Sequence, residues 1–394
     1  MSEFWQRAGS LNCVFVSMGA ICATGAGAQG VPTERSVLPP IAESSRGFTS
    51  ITSVRELDGG RILVADRGER RLYLVNWETG VVDQVLRAGD GPGEFRSIGW
   101  LYAIADNETL LTDIASRRWI LLRDTIVAHT FIESAPLNRR FRARLDGVAT
   151  GGSVLASVSA ERPGIAEGDE RVLELAPGLG PHQGLPRLDT IRLVMGAGRD
   201  QLACVLGTTR GPPRCRFLEA EEQAILYPDG WVAVALQDPY RVDWRSPDGA
   251  WVRGEMLDGS VPVSDAEKCA AINGWAEVNS GCNAAAVGSF VWPDNIPPFL
   301  TDSRSCRACS RVAAGRAPWL FADPRGHLVV RRTPRQSRRQ NLYDVVDRTG
   351  RLVERVILPH GEAIVGFGES SVYTIRVDEY DLEWLRRHPW SPPI

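Results

Sequence analysis

The chain has 394 residues, 43% of them hydrophobic and 24% charged, with a formal net charge of -3. This composition is enough to bury a large core and excludes disorder over most of the length. The near-neutral balance leaves no electrostatic footprint for nucleic acid and no acidic tail.

Residues 1–28 read as an export signal. Arg7 gives a positive start, Val14 to Ile21 an apolar run, and Ala26-Gly27-Ala28 a small-residue cleavage pattern before Gln29. The apolar run is shorter than the ~20 residues that span a bilayer, and no later stretch resembles a membrane span. Cleavage after Ala28 places the mature chain, residues 29–394, in the periplasm or outside the cell. It also removes Cys13 and Cys22 and leaves Cys204, Cys215, Cys269, Cys282, Cys306 and Cys309. An even set in an exported chain predicts structural disulfides, with pairing open among 15 connectivities.

Further along, the chain repeats itself. Leu63-Val64-Ala65-Asp66, three residues, then Arg70-Arg71-Leu72 recurs 47 positions later as Leu110-Leu111-Thr112-Asp113, three residues, then Arg117-Arg118-Trp119. Each copy reads as a strand, a tight loop closed by an acidic residue, and a second strand headed by paired arginines, at the period of a propeller blade. Asp66 and Asp113 are expected to fix their hairpins by accepting turn amides or by facing the arginines, with Arg70 and Arg117 as candidates. Gly89 to Gly93 superficially suggests a phosphate loop, but neither a Lys-Ser/Thr pair nor a helix follows it.

Six blades are predicted. Strands are expected at 51–57, 61–65, 71–76 and 82–87 in the first and at 100–105, 110–113, 118–123 and 126–132 in the second. The third holds Val148, 153–159, 171–175 and 190–195, and the fourth 224–227, 231–236, 241–245 and 251–257. The fifth holds 319–322, 327–331, 342–347 and 352–358. The sixth has only 364–367, 372–377 and 383–387, so its missing outer strand is assigned to Arg35 to Ile41, joining the two ends of the chain. The predicted fold is therefore an all-β six-bladed propeller with an N-terminal strand closing the last blade and one helical and loop insertion, residues 259–316.

Within the insertion, Ser264-Asp265-Ala266-Glu267 is a capping-box signature that predicts a helix of about 13 residues. A Pro-rich arm through Trp292 and Pro297-Pro298-Phe299 follows and is expected across one end of the ring. Trp275, Trp292 and Trp319 are candidates either to line a ligand cleft or to pack the insertion down. Cys306 and Cys309 form a C-x-x-C pair, which leaves redox use, or zinc with Cys269 and Cys282, open beside a plain bridge. His129, His182, His327, His360 and His388 show no paired spacing and read as surface or turn residues.

Gly60 to Gly68 with Arg70-Arg71-Leu72 resembles the NHL-type blade, and Gly89-Asp90-Gly91-Pro92-Gly93-Glu94-Phe95 resembles that family's blade connector. The mature chain is similar to exported bacterial six-bladed propellers of NHL or TolB-like character. The intact blade frame, with no catalytic constellation in the sequence, leads to the expectation of a binding or interaction scaffold, monomeric and without cofactor or metal, whose partner is a protein or a small molecule. The alternative that the resemblance implies is a calcium-dependent lactonase, esterase or lyase, with a metal held on the axis by several oxygens. The expected inner strands are nearly devoid of carboxylates, which favours the scaffold.

Overall fold

The computed structural model describes residues 33–91, 93–113, 115–116, 118–132, 141–150, 153–160, 170–176, 189–194, 222–257, 261–269, 287, 292–299, 319–335 and 340–390. The expected export signal lies outside these residues. So do Cys204, Cys215, Cys282, Cys306, Cys309, Arg117 and Trp275.

The N-terminal segment forms β1 (Thr33–Ser36) and β2 (Ala42–Glu43). Strands β3 (Ile51–Leu57), β4 (Arg61–Asp66), β5 (Arg71–Asn76) and β6 (Val82–Arg87) make a first antiparallel sheet. A second holds β7 (Ile98–Ala105), β8 (Glu108–Asp113), β9 (Arg118–Arg123) and β10 (Ile126–Ile132), and a third β11 (Phe141–Val148), β12 (Val154–Ala160), β13 (Glu170–Ala176) and β14 (Asp189–Val194). A fourth holds β15 (Gln223–Leu226), β16 (Val232–Gln237), β17 (Tyr240–Arg245) and β18 (Trp251–Val252). A short ribbon of β19 (Val261–Pro262) and β20 (Asn295–Ile296) closes the base of the insertion. The fifth sheet is β21 (Leu320–Ala322), β22 (Leu328–Arg331), β23 (Leu342–Val346) and β24 (Leu352–Ile357) with β1 outermost. The last is β25 (Glu362–Phe367), β26 (Ser371–Val377) and β27 (Glu383–Pro389) with β2 outermost.

The first strand of each sheet lies against the first strand of the next, β3 on β7, β7 on β11, β11 on β15, β15 on β21 and β21 on β25, and β25 returns to β3. This radial arrangement of antiparallel sheets is a β-propeller.

Its core lies between sheets, which explains why the strands read as continuous apolar runs. Side chains alternate across a strand, so Ile62 and Val64 pack with Ala363, Val365 and Tyr373 of the last sheet. Leu63 and Ala65 turn the other way, onto Ile98, Leu111 and Ile120 of the second. Each fully buried Leu or Val contributes on the order of 1.5–3 kcal/mol, and a polar residue on either face of β4 would forfeit that.

The closing strand differs from expectation. Thr33–Ser36 runs parallel to β24 in the fifth sheet, and Ala42–Glu43, not Arg35 to Ile41, completes the last sheet antiparallel to β27. Pro39 and Pro40 explain the division: without N–H groups they cannot feed a ladder. The strap therefore pairs before them with one sheet and after them with its neighbour. Arg35 anchors the first half through a two-pronged pair with Glu354, Nε to Oε2 at 2.7 Å and Nη2 to Oε1 at 2.9 Å, with its guanidinium 4.8 Å from the Trp390 ring centroid. In the second half the Ile41 and Ser44 amides donate to the carbonyls of Arg387 and Leu385, both at 2.8 Å.

β18 is also shorter than expected. Gly254 leaves the ladder to donate to Asp243 Oδ1 at 3.1 Å. It stands against the hairpin of the fifth sheet, where Gly350 has φ 78° and a Cβ on Gly350 would sit 2.2 Å from Gly254 Cα. Gly350→Ala is accordingly expected to cost roughly 2–4 kcal/mol from left-handed backbone plus overpacking, read as a lower urea midpoint at unchanged slope.

The capping box forms as its spacing predicts. The Glu267 amide donates to Ser264 Oγ at 3.3 Å, the Ser264 amide donates to Glu267 Oε2 at 3.0 Å, and helix is described over 265–269.

Candidate functional site at the connector end of the ring

At the end of the ring where second strands finish and first strands begin, buried carboxylates hold the hairpins and support the arm of the insertion. In the first sheet Asp66, at the end of β4 and wholly buried, accepts from the amides of Thr49 (2.8 Å), Ser50 (3.0 Å) and Glu69 (3.0 Å). Asp113 repeats this at the end of β8, accepting from the amides of Arg96 and Ser97 at 2.9 Å and from the Ser116 hydroxyl. Burial would raise the Asp113 pKa, but those donors outweigh it and hold the carboxyl below its ordinary value. Arg70 does not face Asp66. Its guanidinium reaches the Arg96 carbonyl at 2.8 Å, tying the first hairpin to the connector of the second sheet. The glycine-rich connector is filled from within: the Gly91 amide donates to Glu94 Oε2 at 2.9 Å, and a Cβ on Gly89 would lie 1.9 Å from that oxygen.

The fourth and fifth sheets hold the arm of the insertion at the same end. Thr333, just past β22, donates from its amide to the Pro298 carbonyl (2.9 Å) and from its hydroxyl to the Pro297 carbonyl (2.5 Å). Gln237, at the end of β16, donates to the Phe299 carbonyl at 2.7 Å. The Phe299 ring lies 6.2 Å from that of Tyr240 and is fully buried.

Beneath the arm, Asp344 of β23 is wholly buried. It pairs with Arg332 Nη1 at 2.6 Å and Arg355 Nε at 3.0 Å, and accepts from the Tyr240 hydroxyl at 3.0 Å. Burial, and then the charge of Asp344, pushes the Tyr240 pKa well above the ordinary phenol range. Arg331 is fully buried, with its guanidinium 4.7 Å from the Trp319 ring centroid and its Nη2 3.2 Å from Asn341 Oδ1.

This arrangement orients and holds chain segments. Asp344, Arg332 and Arg355 are spent on one another, and Asp66 and Asp113 on backbone amides, and the arm lies over the Asp344 cluster. Of the candidate tryptophans, Trp319 lies at 5% exposure beneath Arg331, in the packed interior rather than along a cleft. Trp292 is half-buried and donates to the Val287 carbonyl at 2.9 Å. Cys269 sits at 269, in the short helix.

Several residues elsewhere in the ring escaped the sequence reading. His388, expected at a surface or turn, is 1% exposed inside the last sheet, whereas His327 follows the turn at 323–326 as expected, with the buried Asp323 as an unforeseen partner of its Nδ1 at 3.0 Å. Glu56 of β3 crosses the seam between first and last sheets to accept from the Tyr373 hydroxyl and the Glu369 amide, both at 2.7 Å. Asp344 carried a usable signal: a lone carboxylate inside Tyr343-Asp344-Val345-Val346 must be buried with partners.

No family model and no curated protein matches the sequence. Among solved structures the chain is similar to a Bacteroides fragilis protein provisionally described as exported, at 11% identity over 91% of this chain and 99% of that one, TM-score 0.48. It is similar to a member of the DUF4221 family from Bacteroides vulgatus at 7% identity, 90% and 96% coverage and TM-score 0.47. A third is the calcium-binding protein regucalcin from Agrobacterium tumefaciens, at 11% identity, 91% and 99% coverage and TM-score 0.40. Among the described residues no helix is long and apolar enough to cross a membrane.

Proposed function

We propose that this chain is an exported six-bladed propeller of NHL or TolB-like type that serves as a binding scaffold for a protein or small molecule. The recognition surface in this reading is built around the insertion arm at the connector end of the fourth and fifth sheets. The observation that carries the reading is the anchoring of that arm: Thr333 and Gln237 hold three successive carbonyls, Pro297 to Phe299, over the buried Asp344 cluster. Such anchoring pre-orders an inserted loop, which lowers the ordering cost of binding. The succession of first strands from β3 round to β25 and back supports the blade number. The bonded state of Cys269 supports disulfides as the role of the six cysteines of the mature chain.

The test incubates the mature chain with lactone, ester and peptide substrates, with calcium and with chelator. The scaffold reading expects no turnover under either condition, and metal-dependent turnover would overturn it in favour of the lactonase or lyase class. Thr333→Val supplies a structural counterpart. Losing the hydroxyl bond to Pro297 is expected to cost roughly 1–2 kcal/mol and to raise proteolytic cleavage within 292–299, while cleavage within the first sheet stays unchanged.

A further inference from the structure

The strap of residues 33–48 is tied to the last sheet by a continuous polar chain with both ends on the strap. His388 Nδ1 lies 2.7 Å from the Leu38 carbonyl, and its Nε2 lies 2.9 Å from Thr374 Oγ1. Thr374 Oγ1 is 3.2 Å from Glu362 Oε2, and Glu362 Oε1 pairs with the Arg386 guanidinium. Arg386 Nε then returns to the strap at Glu43 Oε2, 2.5 Å away. Thr374, His388 and Glu362 are 0%, 1% and 2% exposed.

A proton count fixes the tautomer of the neutral ring. The Leu38 carbonyl only accepts, so Nδ1 carries a hydrogen, and in the neutral ring Nε2 is an acceptor. The single Thr374 hydroxyl hydrogen serves either Nε2 or Glu362, never both. A second ring proton would supply the missing donor, yet would place an imidazolium in a sealed site between the strap and β26.

We propose that His388 is a proton-operated latch for the N-terminal strap: neutral, it holds Leu38 against the last sheet, and protonation in mild acid releases the strap around Leu38 to Ser44.

Burial decides the direction against the groups that face the ring. Glu362 of β25, 3.7 Å from Nε2, favours the charge. Arg386 of β27 opposes it, and Arg376 of β26 and Glu43 of β2, 3.6 Å apart, largely offset one another. Desolvation is the largest effect and lowers the His388 pKa, outweighing the Leu38 bond and Glu362, which raise it. Once the strap lifts, the ring meets water and binds protons at its ordinary value near 6.5. The released state thus binds more protons, so strap docking is complete above that value and weakens as pH falls from it towards the depressed docked value. The limit is about tenfold per pH unit within that window.

The test is amide hydrogen exchange on the full chain at pH 7.5 and pH 5.0, corrected for intrinsic rates. It reads the Ile41 and Ser44 amides, which bond to β27 carbonyls, with β4 amides as the internal control. Wild type is expected to lose about tenfold of strap protection at pH 5.0 with β4 unchanged, and His388→Gln to lose the pH dependence. Glu362→Gln removes the charge that favours imidazolium and is expected to deepen the loss at pH 5.0, which keeps the idea testable if His388→Gln does not fold. Equal strap protection at both pH values in wild type, or an undiminished pH effect in His388→Gln, overturns the latch.

Discussion

Replacing Asp66 by Ala is expected to destabilise the chain by roughly 3–5 kcal/mol, since each buried amide left without an acceptor costs on the order of 1–3 kcal/mol and the terms do not add fully. Three amides lose their acceptor together: Thr49 and Ser50, which lead into β3, and Glu69, in the hairpin loop. The first two belong to the segment that carries the strap into the ring, so the loss spreads from one hairpin to the closure of the propeller. Asp66→Asn keeps one acceptor oxygen and turns an N–H₂ toward an amide, so an intermediate cost of roughly 1–3 kcal/mol is expected. Guanidinium unfolding at fixed slope separates the two variants. A cost below about 1 kcal/mol for the Ala variant would mean that the amides find other acceptors and the carboxylate does not fix the hairpin. The repeat gives an internal check, because Asp113→Ala removes the equivalent acceptor from Arg96 and Ser97. The depressed pKa of Asp113 adds stability that is complete above the unfolded value near 4. That stability is lost as pH falls through the folded value, so part of the acid unfolding of wild type should be absent in this variant.

The blade frame was legible because both faces of the inner strands are buried. Arg61-Ile62-Leu63-Val64-Ala65-Asp66 carries an apolar run to one terminal carboxylate, and the expected strands of the first sheet match the observed β3, β5 and β6, with β4 one residue longer. The same physics hid the strap. Pairing at a sheet edge needs backbone groups rather than a side-chain pattern, so Thr33–Ser36 and Ala42–Glu43 look like ordinary polar segments. Only Pro39-Pro40 marked the break between them. Sites assembled across sheets were beyond sequence reading altogether. Glu362, Thr374 and His388 stand at the beginning, middle and end of three successive strands, and only their register brings them together. The arm was legible as Pro-rich, whereas its anchors Gln237 and Thr333 lie 62 and 36 residues from their acceptors.

Asp344→Asn tests the largest buried charge cluster at the candidate site and is expected to cost roughly 3–5 kcal/mol, the penalty for removing one partner of a buried ion pair. Asp344 is wholly buried and counters Arg332 of the fifth sheet, whose guanidinium also lies 4.9 Å from the Tyr240 ring centroid of the fourth. The substitution removes the countercharge and turns an N–H₂ toward a donor while leaving shape and volume nearly intact, so the loss is one of charge and hydrogen bonding rather than a cavity effect. Because Tyr240 also packs on Phe299, the effect is expected to reach the arm and raise cleavage within 292–299, as Thr333→Val does. A double-mutant cycle with Arg332→Leu isolates the pair: the two changes together should cost less than the sum of each alone by roughly 1–3 kcal/mol. Strict additivity would place the balancing of Asp344 on Arg355 and Tyr240 instead. In that case the path from Asp344 to the arm would run through the Tyr240 hydroxyl and its packing on Phe299, and cleavage within 292–299 would rise more in Asp344→Asn than in Arg332→Leu.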